Sequence, residues 1–254
     1  MRKDLIAGNW KMNANHLEAI QMVQKLSYRL DPADYERVDV VVCPPFTALR
    51  SSQTVIESDH LAIKLGAQNV HWHDEGAFTG EVSPSMLSKL SVKFVIVGHS
   101  ERRQLFGETD EVVNMKAKAV IAAGMIPIIC VGETEAERDA DQAETRVGSQ
   151  VRAAIMGIDA EVVASVVVAY EPIWAIGTGR TASPDDAGSM CTLVRNEIRD
   201  LVGEAADSTR VLYGGSMNPG NVAGLMAKRH IDGGLVGGAS LDPDTFASVI
   251  RYWI

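Results

Sequence analysis

The stretch VVASVVVAYEPIWAIGTGRTASPDD, residues 162–186, contains one complete structural unit. Its first part, 162–170, is an apolar run rich in valine that ends at a single carboxylate, Glu171. Apolar runs without polar alternation are typical of parallel strands that are covered on both faces. Ser183 and Pro184 then provide the capping side chain and the first-turn proline of a helix. The stretch therefore predicts a strand, a loop and a helix, in that order.

Similar units recur along the whole chain. Eight runs are rich in valine and isoleucine: residues 5–10, 38–43, 61–68, 93–98, 126–131, 162–170, 210–213 and 231–236. Helix starts between them are indicated by Ser83, Ser183, Asn218 and Asp242, each before a proline, and by a capping box at Thr134 and Glu137. Eight units in 254 residues leave about 32 residues for each, close to the roughly 30 of one βαβ unit.

Strict alternation of strands and helices favours one fold. It predicts an α/β protein with a single domain over 1–254, a (β/α)8 barrel of eight parallel strands ringed by helices. The alternative is an open, doubly wound sheet, which usually has a GxGxxG phosphate loop after its first strand. Here the first run ends in Gly8-Asn9-Trp10-Lys11 instead, and no linker-like stretch divides the chain.

Composition excludes several classes of protein. The longest apolar stretch without charge, 119–132, is 14 residues long, and a membrane span needs about 20. The first residues become charged too soon for a secretory signal. A net charge of −9 without a basic face argues against nucleic-acid partners. The three cysteines, Cys43, Cys130 and Cys191, form no CxxC pair, which favours a reduced, cytoplasmic setting.

Three polar residues follow predicted strands, where barrel enzymes collect their chemistry. Lys11 is either a solvated charge or a cation aimed at an anionic substrate. His99 is either structural or a hydrogen-bond donor to a reacting oxygen. Glu171 is either half of an ion pair or a general base whose pKa is raised by burial. The charged residues after His99, Glu101 to Arg103, are interpreted as an ion-pair network under the site.

Glycine-rich segments follow the last three strands. Residues 173–179 are apolar yet rich in glycine, which fits either a tight turn or a lid that excludes water. The glycines of 214–216 and 233–238 would let backbone N–H groups approach an anion, and barrels often hold phosphate after strands seven and eight. Phosphate binding is compatible with a charge of −9, because salt screens carboxylates beyond about 8–10 Å.

The segment His71-Trp72-His73-Asp74-Glu75 has the composition of a metal site. Its two histidines would share a face only on a strand, and the segment follows a strand instead. We therefore interpret it as a surface loop and predict no metal.

Six segments, taken together and in this order, resemble the triosephosphate isomerase family over essentially the whole chain: residues 8–13, 76–81, 98–103, 169–179, 213–216 and 232–239. The resemblance implies a cytoplasmic enzyme of glycolysis and gluconeogenesis. Its reaction interconverts dihydroxyacetone phosphate and D-glyceraldehyde 3-phosphate through an enediolate, without cofactor or metal.

The resemblance also implies a role for each site residue. Glu171 resembles the base that moves the proton, His99 the neutral electrophile, Lys11 the stabilising cation and Asn9 a further donor at the substrate oxygen. The residues that resemble the phosphate-binding set are Gly177, Ser216, Gly237 and Gly238. The segment at about 172–182 resembles the lid of the family. Ile176 and Leu235 resemble the apolar clamp that excludes water from Glu171 when the lid closes.

The resemblance further implies a homodimer. The loop 69–81, with Thr79 near its tip, would insert beside the partner's active site, which gives residues 71–75 an interface role. Two alternatives remain: an aldolase-like enzyme that uses Lys11 for a Schiff base, and a catalytically silent barrel that binds sugar phosphates. The intact set of Lys11, His99 and Glu171 favours the isomerase.

Overall fold

The computed structural model describes residues 2–176 and 182–254. Its eight strands form a closed barrel in which every neighbouring pair is parallel and the order follows the chain. The strands are β1 (Asp4–Asn9), β2 (Val38–Cys43), β3 (Lys64–Ala67), β4 (Phe94–Val97), β5 (Ile126–Val131), β6 (Val167–Tyr170), β7 (Arg210–Tyr213) and β8 (Gly233–Val236). The predicted (β/α)8 barrel is confirmed.

Helices connect successive strands and surround the barrel. They are α1 (His16–Ser27), α2 (Pro32–Arg37), α3 (Phe46–Ser58), α4 (Pro84–Lys89), α5 (Ser100–Phe106), α6 (Asp110–Ala122), α7 (Glu135–Asp139), α8 (Ala143–Ile155), α9 (Ala160–Val163), α10 (Pro184–Val202), α11 (Val222–Met226) and α12 (Pro243–Ile250). Short 3-10 turns cover Ile173–Ala175, Gly203–Asp207 and Gly238–Ser240. No helix in the described part of the chain is long and apolar enough to cross a membrane.

Local signals located the helix starts with one exception. The side chains of Ser83, Ser183 and Asp242 accept N–H groups at the starts of α4, α10 and α12, as predicted. Asn218 does not cap a helix, because its side chain accepts the N–H of Gly220 within a turn. The capping position of α11 is Asn221.

The strand boundaries required one larger correction. The apolar run 162–170 was predicted to be all strand, but α9 occupies Ala160–Val163 and β6 begins only at Val167. Val163 is nevertheless fully buried, so its apolar character reflects packing of a helix. Short apolar runs do not distinguish a buried helix from a buried strand.

The core has two layers separated by the strands. Alternate strand residues fill the barrel interior, among them Leu5, Phe94 and Leu212, and their neighbours pack against the helices. Both faces of every strand are therefore buried, which explains the uninterrupted apolar runs in the sequence. Because all strands are parallel, the residues that follow them meet at one end of the barrel.

Candidate active site

A cavity of about 600 Å³ opens at the end of the barrel where the strands terminate. Eight of the predicted site residues lie in its wall: Asn9, Lys11, His99, Ile176, Ser216, Leu235, Gly237 and Gly238. Gly177, predicted to bind phosphate, lies outside the described residues. Glu171 is buried beside the cavity and is not part of its wall.

Glu171 follows β6, and its N–H extends the strand pairing by donating to the carbonyl of Val131 over 2.7 Å. Its side chain is 2% exposed. One carboxylate oxygen, Oε1, lies 3.0 Å from His99 Nε2. The other, Oε2, accepts the backbone N–H of Ser100 over 2.8 Å. The carboxylate is thus held at the N-terminus of α5.

The expected rise in the pKa of Glu171 is contradicted in this conformation. Burial acts to raise the pKa, but His99 and the N–H of Ser100 stabilise the carboxylate and bring its pKa below the ordinary 4.5. Burial alone predicts a raised pKa, and nothing in the sequence indicated that these two donors lie beside the carboxylate.

His99 is the residue before α5, and its Nδ1 accepts the backbone N–H of Glu101 over 3.2 Å. Burial lowers the pKa of the imidazole, but the charge and hydrogen bond of Glu171 outweigh burial and raise it above 6.5. A second ring proton would have to sit on Nδ1, against the N–H of Glu101. The hydrogen bonds therefore define a ring with its proton on Nε2, directed at Glu171.

Lys11 enters the cavity from the loop after β1. Its backbone is left-handed, with φ of 52°, and its N–H donates to Asn9 Oδ1 over 3.0 Å. The ammonium lies 2.5 Å from Glu101 Oε1. A Cβ built on Gly237 would lie 3.5 Å from Lys11 Cε, so the cation and the glycine-rich backbone after β8 face the same space.

The ion-pair network predicted after His99 is present. Glu101 pairs with Lys11, Arg103 with Asp110 over 2.5 Å, and Arg102 with Glu108. Sequence reasoning missed its innermost member, Lys116, whose ammonium contacts Glu108 and Asn69 although its side chain is only 3% exposed. A lysine inside an amphipathic helix pattern gave no signal of burial.

Glu133 was also missed. It is fully buried, and its Oε1 accepts hydrogen bonds from Trp174 Nε1 over 2.8 Å and from Tyr170 Oη over 3.0 Å. A signal existed, because Glu133 closely follows the apolar run 126–131 as Glu171 follows its own run. These bonds fix the chain on either side of Glu171.

The histidines of the loop 69–81 lie close to one another. Among residues 2–176 and 182–254, no group of three or more histidine, cysteine or acidic side chains could hold a metal ion. The rings of His71 and His73 are nevertheless stacked, with centroids 5.3 Å apart, and Phe78 packs against both. The expectation that they could share a face only on a strand was wrong, because the loop folds back on itself.

The arrangement combines a buried carboxylate, an Nε2–H donor and a cation around one cavity with a glycine-rich wall. Such a set suits proton transfer beside a carbonyl group in a small anionic substrate.

Comparisons with known proteins agree with this chemistry. The family model described as triosephosphate isomerase matches residues 4–253. A triosephosphate isomerase of Streptomyces avermitilis is 53% identical over 252 residues, which cover 99% of this chain and 98% of the relative. One of Mycobacterium avium is 51% identical over 249 residues, which cover 98% and 95%. One of Corynebacterium diphtheriae is 52% identical over 249 residues, which cover 98% and 96%. The chain belongs to the triosephosphate isomerase family.

Proposed function

We propose that Glu171, His99 and Lys11 carry out the reaction of this enzyme, with Asn9 as a further donor. As a triosephosphate isomerase, the chain interconverts dihydroxyacetone phosphate and D-glyceraldehyde 3-phosphate. In our proposal Glu171 removes a proton from one substrate carbon and returns it to the other. His99 Nε2–H donates to the oxygens that become negative in the enediolate.

The contact between Glu171 and His99 carries this proposal. Both side chains are buried. Burial acts to raise the pKa of Glu171 and to lower that of His99, and in each residue the contact with the other outweighs burial. When Glu171 turns towards substrate, it leaves His99 and Ser100, and only burial remains to act on it. The pKa of Glu171 then rises, which makes it a stronger base, and that of His99 falls, which keeps the ring a neutral donor.

The phosphate group is bound, in our proposal, by backbone N–H groups at Gly237 and Gly238, by Ser216 and Gly177, and by Lys11. The supporting observation is that Lys11 and the described members of this set line one cavity. The 3-10 turn Gly238–Ser240 begins at the same point, and its first two residues, Gly238 and Ala239, both lie in the cavity wall.

We further propose that residues 172–182, of which 177–181 lie outside the described residues, form a lid. Ile176 and Leu235 both lie in the cavity wall, so they could exclude water from Glu171 as an apolar clamp. Exclusion of water strengthens the electrostatic interactions that stabilise an enediolate. Binding energy from the non-reacting phosphate could drive the closure.

A coupled assay tests the proposed base. Glyceraldehyde 3-phosphate is the substrate, and glycerol-phosphate dehydrogenase reports the dihydroxyacetone phosphate formed. Wild-type protein and Glu161→Gln, an exposed control on α9, should turn over rapidly. Glu171→Gln, whose amide oxygen can still accept the N–H of Ser100, should be nearly inactive. Equal turnover by Glu171→Gln would remove Glu171 as the base, and an inactive wild type would favour the silent sugar-phosphate-binding barrel.

A homodimer is proposed for the assembly, through the loop 69–81. Large apolar side chains are exposed in the segments that follow β1, β3 and β4, the second of which contains this loop: Met12 at 95%, Phe78 at 41%, Met86 at 56%, Leu105 at 74% and Phe106 at 68%. Asn69, at the loop's base, contacts Lys116, which joins it to the network beneath α5. Apolar side chains exposed in this way are candidates for burial against a second copy of the chain.

Sedimentation of wild type and of Phe78→Glu tests the dimer. The wild type should sediment as a dimer, and the variant should dissociate, because a charge in an apolar interface is costly. A monomeric wild type at micromolar concentration would refute the proposal. The three free, buried cysteines suit the cytoplasmic location that we propose alongside it.

A further inference from the structure

Arg138 contacts the two residues that hold the beginning and the end of the proposed lid, Glu133 and Asp186. It lies in α7, its side chain is 33% exposed, and it is not part of the cavity wall. Its Nη1 lies 3.2 Å from Glu133 Oε1, and its Nη2 lies 3.4 Å from Asp186 Oδ1. Glu133 contacts the first residues of the proposed lid, and Asp186 belongs to the helix after it.

The first contact reaches the chain next to the proposed base. Glu133 Oε1 accepts Trp174 Nε1, and the Glu133 carbonyl accepts the N–H of Ile173 over 3.2 Å. The guanidinium of Arg138 also lies over the Trp174 ring, 4.5 Å from its centroid. Among the described residues, Arg138 is the cation paired with this buried carboxylate. It therefore fixes the segment that begins at Glu171.

The second contact reaches the start of α10. Asp186 Oδ2 accepts both the hydroxyl of Ser183, over 2.8 Å, and its backbone N–H, over 3.2 Å. Ser183 in turn caps the N–H of Asp186 over 3.1 Å. Asp186 Oδ1 is the oxygen that meets Arg138, so the ion pair adds to the capping box without competing with it.

We propose that Arg138 is a positioning residue for the reaction, because one planar guanidinium sets the separation of the two ends of the lid and, through Trp174, the position of Glu171. Arg138 touches neither substrate nor the reacting atoms. A guanidinium presents several donors in a fixed plane, whereas an ammonium is a point charge and cannot hold two separate carboxylates in the same geometry. The inference rests on the proposed roles of Glu171 and of the lid.

A loosely held lid has a chemical signature. The enediolate can use its electron pair to break the adjacent C–O bond, which releases inorganic phosphate and leaves an enol that becomes a 2-oxoaldehyde. A lid that keeps the phosphate bond in the plane of the enediolate suppresses this elimination. Phosphate released per isomerisation therefore reports how well the two ends are held.

The test compares Arg138→Met and Arg138→Lys with Arg146→Met. Arg146 is a matched control, because it also pairs with two carboxylates, Asp110 and Glu137, over 3.3 Å each, and has a side-chain exposure of 36%. We expect Arg138→Met to raise the KM for glyceraldehyde 3-phosphate and the phosphate released per turnover, each by about tenfold. Arg138→Lys should fall between it and the wild type, and Arg146→Met should match the wild type in both.

A purely stabilising role predicts a different result. Loss of folded protein lowers the apparent kcat but leaves KM and the ratio of phosphate to isomerised product unchanged. Wild-type values of both in Arg138→Met would overturn the inference. Asp186→Asn keeps an acceptor for Ser183 and removes only the charge that pairs with Arg138. If Arg138→Met changed the KM and Asp186→Asn did not, the inference would also be overturned. An inactive wild type, or an active Glu171→Gln, would instead refute the proposed function.

Discussion

Replacement of Gly132 by alanine should displace the proposed base while leaving the rest of the site intact. Gly132 follows β5, and its N–H donates to the Gln150 side chain over 2.7 Å. A Cβ at this position would lie only 1.8 Å from the carbonyl oxygen of Glu171 and 2.8 Å from its carbonyl carbon. The two backbones would have to separate by more than 1 Å to reach a contact that folded proteins tolerate.

That separation acts on Glu171 directly. The pairing of its N–H with the Val131 carbonyl, at 2.7 Å, lies beside the clash and would lengthen. A displacement of about 1 Å of a reacting group can cost roughly 100-fold in rate, equivalent to about 2.7 kcal/mol of transition-state stabilisation. We expect this loss in kcat, with a smaller change in the inhibition constant of inorganic phosphate.

The coupled assay measures kcat, and thermal unfolding gives Tm for the same samples. Gly224→Ala is the matched control, because its Cβ would meet only Pro184 Cγ at 3.6 Å, an ordinary contact. A Gly132→Ala enzyme with kcat within threefold of the wild type would show that the end of β6 does not constrain Glu171. A lowered Tm with unchanged kcat would refute the reasoning equally.

Three further predictions concern single charges. Lys11→Met should weaken competitive inhibition by inorganic phosphate about tenfold or more, because a charge-assisted hydrogen bond contributes about 1.5–3 kcal/mol; an unchanged inhibition constant would show that the glycine-rich backbone suffices. Glu171→Asp should lower kcat about 100-fold, since the carboxylate retreats by one methylene, and normal turnover would contradict its role as base. Burial raises the pKa of Asp39, but Lys64, Lys3 and Arg210 bring it from 3.8 to about 2. The stabilisation, about 2 kcal/mol, is present above 3.8 and is lost as pH falls towards 2. Urea unfolding should therefore show Asp39→Asn destabilised at about pH 6 and the difference reduced near about pH 2, and a difference independent of pH would exclude this carboxylate.

The barrel was predictable because its strands are buried on both faces. Every apolar run contained a strand, since a covered parallel strand has no polar side to interrupt the pattern. The exact bounds were less accessible. The run 162–170 joined a buried helix to a strand, and Asn218 offered a capping side chain that a local turn uses instead.

The candidate site could also be predicted only in part from the sequence. Positions after strands could be found by their order in the chain, because a parallel barrel brings all such residues to one end. Contacts between side chains could not be found from the sequence. Nothing in the sequence indicated that Lys116 is buried with Glu108. Nor did it indicate that Arg138 contacts both Glu133, which is 5 residues away, and Asp186, which is 48 residues away. Such pairings depend on how helices pack around the barrel, which local patterns do not record.

The start of α5 explains how both charges of the proposed mechanism can be held before substrate arrives. His99 and the N–H of Ser100 hold the Glu171 carboxylate, and the Glu101 carboxylate holds the Lys11 ammonium. The second pair is weak, because its side chains are 31% and 42% exposed, and such pairs contribute about 1 kcal/mol or less. In the proposed mechanism a substrate phosphate would therefore displace Glu101 from Lys11 at little cost. The first pair is buried, and in the proposed mechanism it is released when Glu171 turns towards substrate. In the proposed mechanism, binding of phosphate at Lys11 acts on Glu101, and release of Glu171 acts on His99 and Ser100. Residues 99–101 would then connect substrate binding to activation of the base.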